Sequence, residues 1–153
     1  MNGYLIKPDV IQKVYVAGGN DDLVSAISMW LDNFGLKAVF SQRNRLMDAD
    51  WRVLADQYNH NTQVLSECEL FLALLDDSLA SIADSCVEMG LAFANGIPIL
   101  GLCVSSELRT SLMINGICRG DEQLAYSLEE LFDLIQEYVE IGKAVDGFDE
   151  LDV

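Results

Sequence analysis

Two short, nearly all-apolar runs dominate the middle of the chain, Leu70 to Leu75 and Ile97 to Leu102, bounded by Asp76-Asp77 and by Gly96. Runs of this length without polar alternation are the pattern of strands buried on both faces of a parallel sheet. Between them Ile82, Cys86, Met89 and Phe93 recur at helical spacing, and Asn95-Gly96 supplies a helix stop. The stretch predicts a strand, a helix and a second strand. Ligands of such units collect beyond the carboxyl ends of the strands, which places Asp76, Asp77 and the start of the helix on the functional edge, with Glu88 close to it.

The same two periodicities continue on both sides. Lys13 to Ala17 predicts the first strand, and Gly18-Gly19-Asn20 leads from it into a helix whose apolar face is Val24, Ile27, Leu31 and Phe34. Asn20 suits its N-cap and Gly35 its end. Lys37 to Phe40 predicts a second strand, and a long helix with a thin apolar face runs from about Asp50 to Glu67. After the central unit comes a long loop, Val104 to Gly120, then a short fifth strand within Glu122 to Tyr126 and an amphipathic helix from Leu128 to Ile141. The expected fold class is therefore α/β, a single-domain, doubly wound (flavodoxin-like) parallel sheet of four to five strands. Residues 1–12 form an N-terminal lead-in, 13–141 the α/β domain, and 142–153 an acidic tail.

Composition narrows the partners. The 153 residues suffice for one core, and 9 Lys and Arg against 25 Asp and Glu give a net charge of −16. That charge opposes nucleic acid polymers and anionic membrane surfaces. No apolar run approaches the ~20 residues of a membrane span and the start lacks a leader pattern, so a cytoplasmic location is expected. Cys68, Cys86, Cys103 and Cys118 form no CxxC pair and read as reduced core thiols. His60 is the single histidine, which leaves no His-rich metal site and no Ser-His or Cys-His couple. No metal or cofactor is expected.

The Gly18-Gly19 turn follows neither the GxGxxG spacing nor a GK[ST] pattern, so dinucleotide-fingerprint and P-loop readings fall. A tight strand-to-helix turn needs glycine whatever the protein does, and close approach of a ligand is the other reading of Gly18. Taken in order, VYVAGG, ELFLALLD, DSCVEMGLAFANGIPILGL and SLMINGI resemble the nucleoside 2-deoxyribosyltransferase family and its relatives that hydrolyse deoxynucleoside 5′-monophosphates. The similarity runs from about Lys13 to Ile117. Its most specific part is Glu88, Gly90, Ala92, Ala94, Gly96 and Pro98, one register off a strict E-x-G-x-A-x-A-x-x-G-x-P pattern.

The resemblance implies that Glu88 is the nucleophile and that the hydroxyl of Tyr15 orients it. A carboxylate can stabilise and then capture the cation-like anomeric centre left when a base departs. Otherwise Glu88 is a carboxylate near a helix N-terminus, and Tyr15 a core aromatic. Asp84, four residues earlier, shares a helix face with Glu88, and Asp76, Asp77 and Asp84 are candidate base-contacting acids; the family's aspartate six before the glutamate is Ile82 here. Where the family has a proton-transferring aspartate, this chain has Asn61, whose amide cannot donate and recover a proton as a carboxyl does. The segment Ser111 to Ile117 resembles one that reaches into a neighbouring subunit's site, which implies substrate contacts from Arg109, Ser111 and Met113 and at least a homodimer; Ser111 equally suits a helix N-cap. The expected activity is cleavage or exchange of an N-glycosidic bond, with a nucleoside or nucleotide and a free nucleobase as partners. The alternatives are a deoxynucleoside 5′-monophosphate hydrolase and a catalytically inactive nucleotide-binding module, with a glycosidase acting on NAD less favoured.

Overall fold

A computed structural model of the chain describes residues 12–40, 51–75, 79–103, 111–118 and 122–138. Asp76, Asp77, Arg109, residues 1–11 of the lead-in and the tail 142–153 lie outside the described residues. The strands are β1 (Lys13–Gly18), β2 (Lys37–Phe40), β3 (Leu70–Leu75), β4 (Ile99–Cys103) and β5 (Leu124–Ala125). They alternate with helices α1 (Asp21–Asn33), α2 (Trp51–Ser66), α3 (Leu79–Ala94) and α4 (Leu112–Cys118), and a further helix, α5, occupies 128–138. All pairings are parallel and the strand order is β2-β1-β3-β4-β5, the flavodoxin-like form of the doubly wound sheet.

β3 lies at the centre and is buried at all six positions. Side chains alternate across it, so Leu70, Leu72 and Leu74 enter one core layer with Val14, Val16 and Leu100 beneath α1 and α5. Phe71, Ala73 and Leu75 enter the other, with Tyr15 and Ala17 beneath α2, α3 and α4. In the first layer Trp30 of α1 stacks on Phe132 of α5, with ring centroids 4.4 Å apart and 6° between planes.

Two helices end by the same device. Gly35 and Gly96 both have φ +72°, and the following N–H groups of Leu36 and Ile97 donate back to the carbonyls of Leu31 (3.0 Å) and Ala92 (2.9 Å), the Schellman pattern. This moves β4 from its expected bounds. Ile97 closes α3, the Pro98 carbonyl accepts the N–H of Phe71, and the strand starts at Ile99 and runs to Cys103. The long loop is interrupted by α4, and β5 contracts to two residues. Phe93 and Phe34 are also corrected, at 58% and 40% exposure. The buried line of α3 is instead Ser85, Met89 and Ala92, because the helix turns its i, i+4, i+7 positions to the sheet.

At the carboxyl end of β1, Gly18 has φ +92°, and a Cβ there would lie 2.1 Å from the Leu74 carbonyl oxygen and 3.2 Å from Ser85 Oγ. Glycine here lets β1, β3 and α3 close on one another. Asn20 Oδ1 then accepts the N–H of Leu23 at 2.9 Å and caps α1.

Candidate active site

The α2–α3 face of the sheet carries the chemistry. Only Leu65 of α2 is fully buried, so the helix is anchored near its carboxyl end, while Leu54 and Tyr58 remain half exposed. A cavity of about 270 Å³ opens between α2 and α3. Gln57, Tyr58, Asn61 and Thr62 face it from α2, and Asp84 and Glu88 from α3. Leu54, Leu65, Val87 and Leu91 give it apolar walls.

Glu88 is the tenth residue of α3 counted from Leu79, in the helix's third turn. The reading of it as a carboxylate near the helix N-terminus therefore falls, since the dipole effect is confined to the first turn. The Tyr15 hydroxyl donates to Glu88 Oε2. Tyr15 itself is fully buried and stacks on Phe71 at 5.4 Å with 17° between planes. Tyr15 thus does two things at once: its ring packs in the core and its hydroxyl holds a carboxylate at the wall of a cavity. A side chain fixed by burial and stacking makes a stiff donor, because its rotamer has nowhere else to go.

Of the expected site residues, the structure brings together Tyr15, Asn61, Asp84 and Glu88. Asp84 and Glu88, four apart, both face the cavity. Gly18 does not line it and serves the β1–β3–α3 contact. Ser111 accepts the Ile114 N–H at 3.4 Å, at the start of α4, and Met113 is 71% exposed; neither lines the cavity. The reading from sequence overlooked Gln57, Tyr58 and Thr62. Their signal was a polar run at helical spacing, Gln57 with Asn61 and Tyr58 with Thr62, on the helix whose apolar face is thin.

Other nucleophiles are disfavoured. Burial pushes the Cys118 thiol up to about 12, with Cys103 and Cys86 adding to the shift. Burial, followed by Glu69, pushes Cys68 up to about 11, and burial also raises Cys86. Such thiols hold their protons and stay inert. His60 is exposed and outside the cavity. Among the described residues no group of three or more His, Cys, Asp or Glu side chains is arranged to hold a metal ion, and no helix is long and apolar enough to cross a membrane.

No family model and no curated protein matches the chain. Among solved structures it is similar to the 2-deoxyribosyltransferase of the psychrotolerant bacterium Bacillus psychrosaccharolyticus, described as a biocatalyst for the synthesis of nucleosides. The TM-score is 0.56 and the identity 16%, over 68% of this chain and 80% of that one. At that identity the likeness is one of fold: a five-stranded parallel sheet with alternating helices, the architecture that carries a 2-deoxyribosyltransferase in the Bacillus protein.

Proposed function

We propose that the protein breaks N-glycosidic bonds of nucleosides or nucleotides, with Glu88 as nucleophile and Tyr15 as the residue that positions it. The observation that carries this reading is the hydrogen bond from the buried Tyr15 hydroxyl to Glu88 at the wall of a cavity, on a fold shared with a 2-deoxyribosyltransferase. Tyr15 holds Oε2, and the carboxylate of Glu88 meets the anomeric carbon. The C1′–N bond breaks, its electron pair leaves with the base, and a C1′–O bond forms to Glu88. A second base or water then attacks C1′ and releases the carboxylate.

Transfer between bases is the first form of the activity, and hydrolysis of a deoxynucleoside 5′-monophosphate the second. A homodimer or larger assembly belongs to the same proposal. Leu54, Tyr58 and Val87 leave apolar surface exposed at the cavity, and its volume is just below the ~300 Å³ at which small-molecule pockets usually begin. A neighbouring subunit that covers this surface would complete the walls.

The test is chromatographic. Purified protein and Glu88→Ala are incubated with deoxyinosine and with deoxynucleoside monophosphates, each with and without free adenine or cytosine. Base release or exchange that is lost in the variant supports the reading, and dependence on the added base separates transferase from hydrolase. Ligand binding without turnover on any substrate would leave a nucleotide-binding module in its place.

A further inference from the structure

The charge of the cavity narrows the substrate class, an inference that rests on the glycosidic reading of Glu88. Cleavage of a C1′–N bond leaves an electron pair on the base nitrogen. A neutral base must take up a proton as it departs, and a general acid placed to supply one contributes about 10²–10⁴-fold. A base that already carries a positive charge, such as a pyridinium or an N7-alkylated purine, becomes neutral on leaving and needs no acid.

From α2 the polar groups at the cavity are the amides of Gln57 and Asn61 and the hydroxyls of Tyr58 and Thr62. Amides can grip the edge of a base but have no proton to give. From α3 come Asp84 and Glu88, and Glu88 is committed as nucleophile by Tyr15. Among the described residues of the wall, two formal negative charges face the cavity and no lysine, arginine or histidine does. Tyr58, 55% exposed at the rim, offers a ring face of the kind that attracts cations. The whole chain, at −16, reinforces the same sign.

We propose that the pocket takes nucleosides whose base is cationic, with Asp84 as the counter-charge one helical turn from Glu88 and the amides of Gln57 and Asn61 on the edge of the base. In the step itself, the C1′–N bond breaks and its electron pair passes to the ring nitrogen, cancelling the charge. A C1′–O bond forms to Glu88, water then attacks C1′ and loses a proton to solvent, and the free sugar leaves as the carboxylate is restored.

The experiment compares N7-methyl-2′-deoxyguanosine with 2′-deoxyguanosine, which differ by one methyl group and the charge, and adds nicotinamide riboside as a pyridinium nucleoside. Rates are corrected by those of Glu88→Ala. The expected result is a kcat/KM at least ~100-fold higher for the methylated nucleoside, the share a general acid would otherwise supply. Asp84→Asn should raise KM for the cationic substrates about five- to tenfold, more than it lowers kcat. Asn61→Asp, by placing a carboxyl in the wall, should lower the cationic-to-neutral ratio at least tenfold. Equal turnover of both guanosines, lost in Glu88→Ala, would overturn the cationic preference while the glycosidic reading stands. Selective loss of neutral turnover in Asp84→Asn would also overturn it, by making Asp84 the acid. Absence of turnover on all of these and on the neutral deoxynucleosides would overturn both.

Discussion

Replacement of Gly18 by alanine tests the packing that holds the site, and Gly96→Ala is its internal control. Both glycines have positive φ, +92° and +72°, a region that costs an L side chain about 1–2 kcal/mol. Their surroundings differ. A Cβ at Gly96 meets nothing within 4 Å, whereas at Gly18 it would lie 2.1 Å from the backbone oxygen of Leu74. To reach even 3.0 Å, that oxygen must move by roughly 0.9 Å, yet it belongs to a fully buried strand paired with β1 at that very register. Such overpacking costs about 1–3 kcal/mol, and a disturbed ladder hydrogen bond about 1 more. Gly18→Ala should therefore lose about 3–6 kcal/mol, against about 1–2 for Gly96→Ala. Urea titrations followed by circular dichroism measure both, with midpoints compared at unchanged slope. Equal losses, within about 1 kcal/mol, would refute the claim that close approach of β1, β3 and α3 requires glycine at position 18.

Three further outcomes follow from the same geometry. Tyr15→Phe keeps the ring on Phe71 but removes the donor to Glu88. It should lower kcat about 10- to 100-fold, since a hydrogen bond to a charged group is worth ~1.5–3 kcal/mol, while the folded near-ultraviolet spectrum persists. Asn20→Ala removes the cap on Leu23 and should cost about 1 kcal/mol in a denaturant titration, without altering substrate preference. The buried thiols contribute to the loss of stability at alkaline pH. Cys118 holds its proton up to about 12 when folded and loses it near 9.0 otherwise, and Cys68 up to about 11. Between those values the folded chain binds more protons than the unfolded one. Stability present below pH 9 should then fall as pH rises, by up to about 1.4 kcal/mol per pH unit for each thiol, and Cys118→Ala should flatten the slope in melts between pH 8 and 11.

The apolar runs, the turn glycines and the order of elements by themselves determined the fold class. β3 was bounded correctly at Leu70 and Leu75 because six apolar residues between polar ones admit no other register of burial. The same run does not say which layer each residue enters, since Leu72 and Phe71 are equally apolar. Helix faces were read less well. Phe93 sits at helical spacing from Met89, yet the smaller Ala92 meets the sheet and Phe93 is 58% exposed, because Ser85, Met89 and Ala92 share the face turned to the sheet. Glu88 and Tyr15 could be singled out as chemistry-bearing types and by resemblance, but their meeting joins residues 73 apart in sequence, through strand pairing and helix packing that no local pattern encodes. Gln57, Tyr58 and Thr62 lie on a helix whose sequence shows only a thin apolar face, and only the position of α2 against α3 makes them a wall. Hydrophobic periodicity is a local property, so the sequence determined the elements. A cavity is a relation between surfaces distant in sequence, and tertiary packing alone decided it.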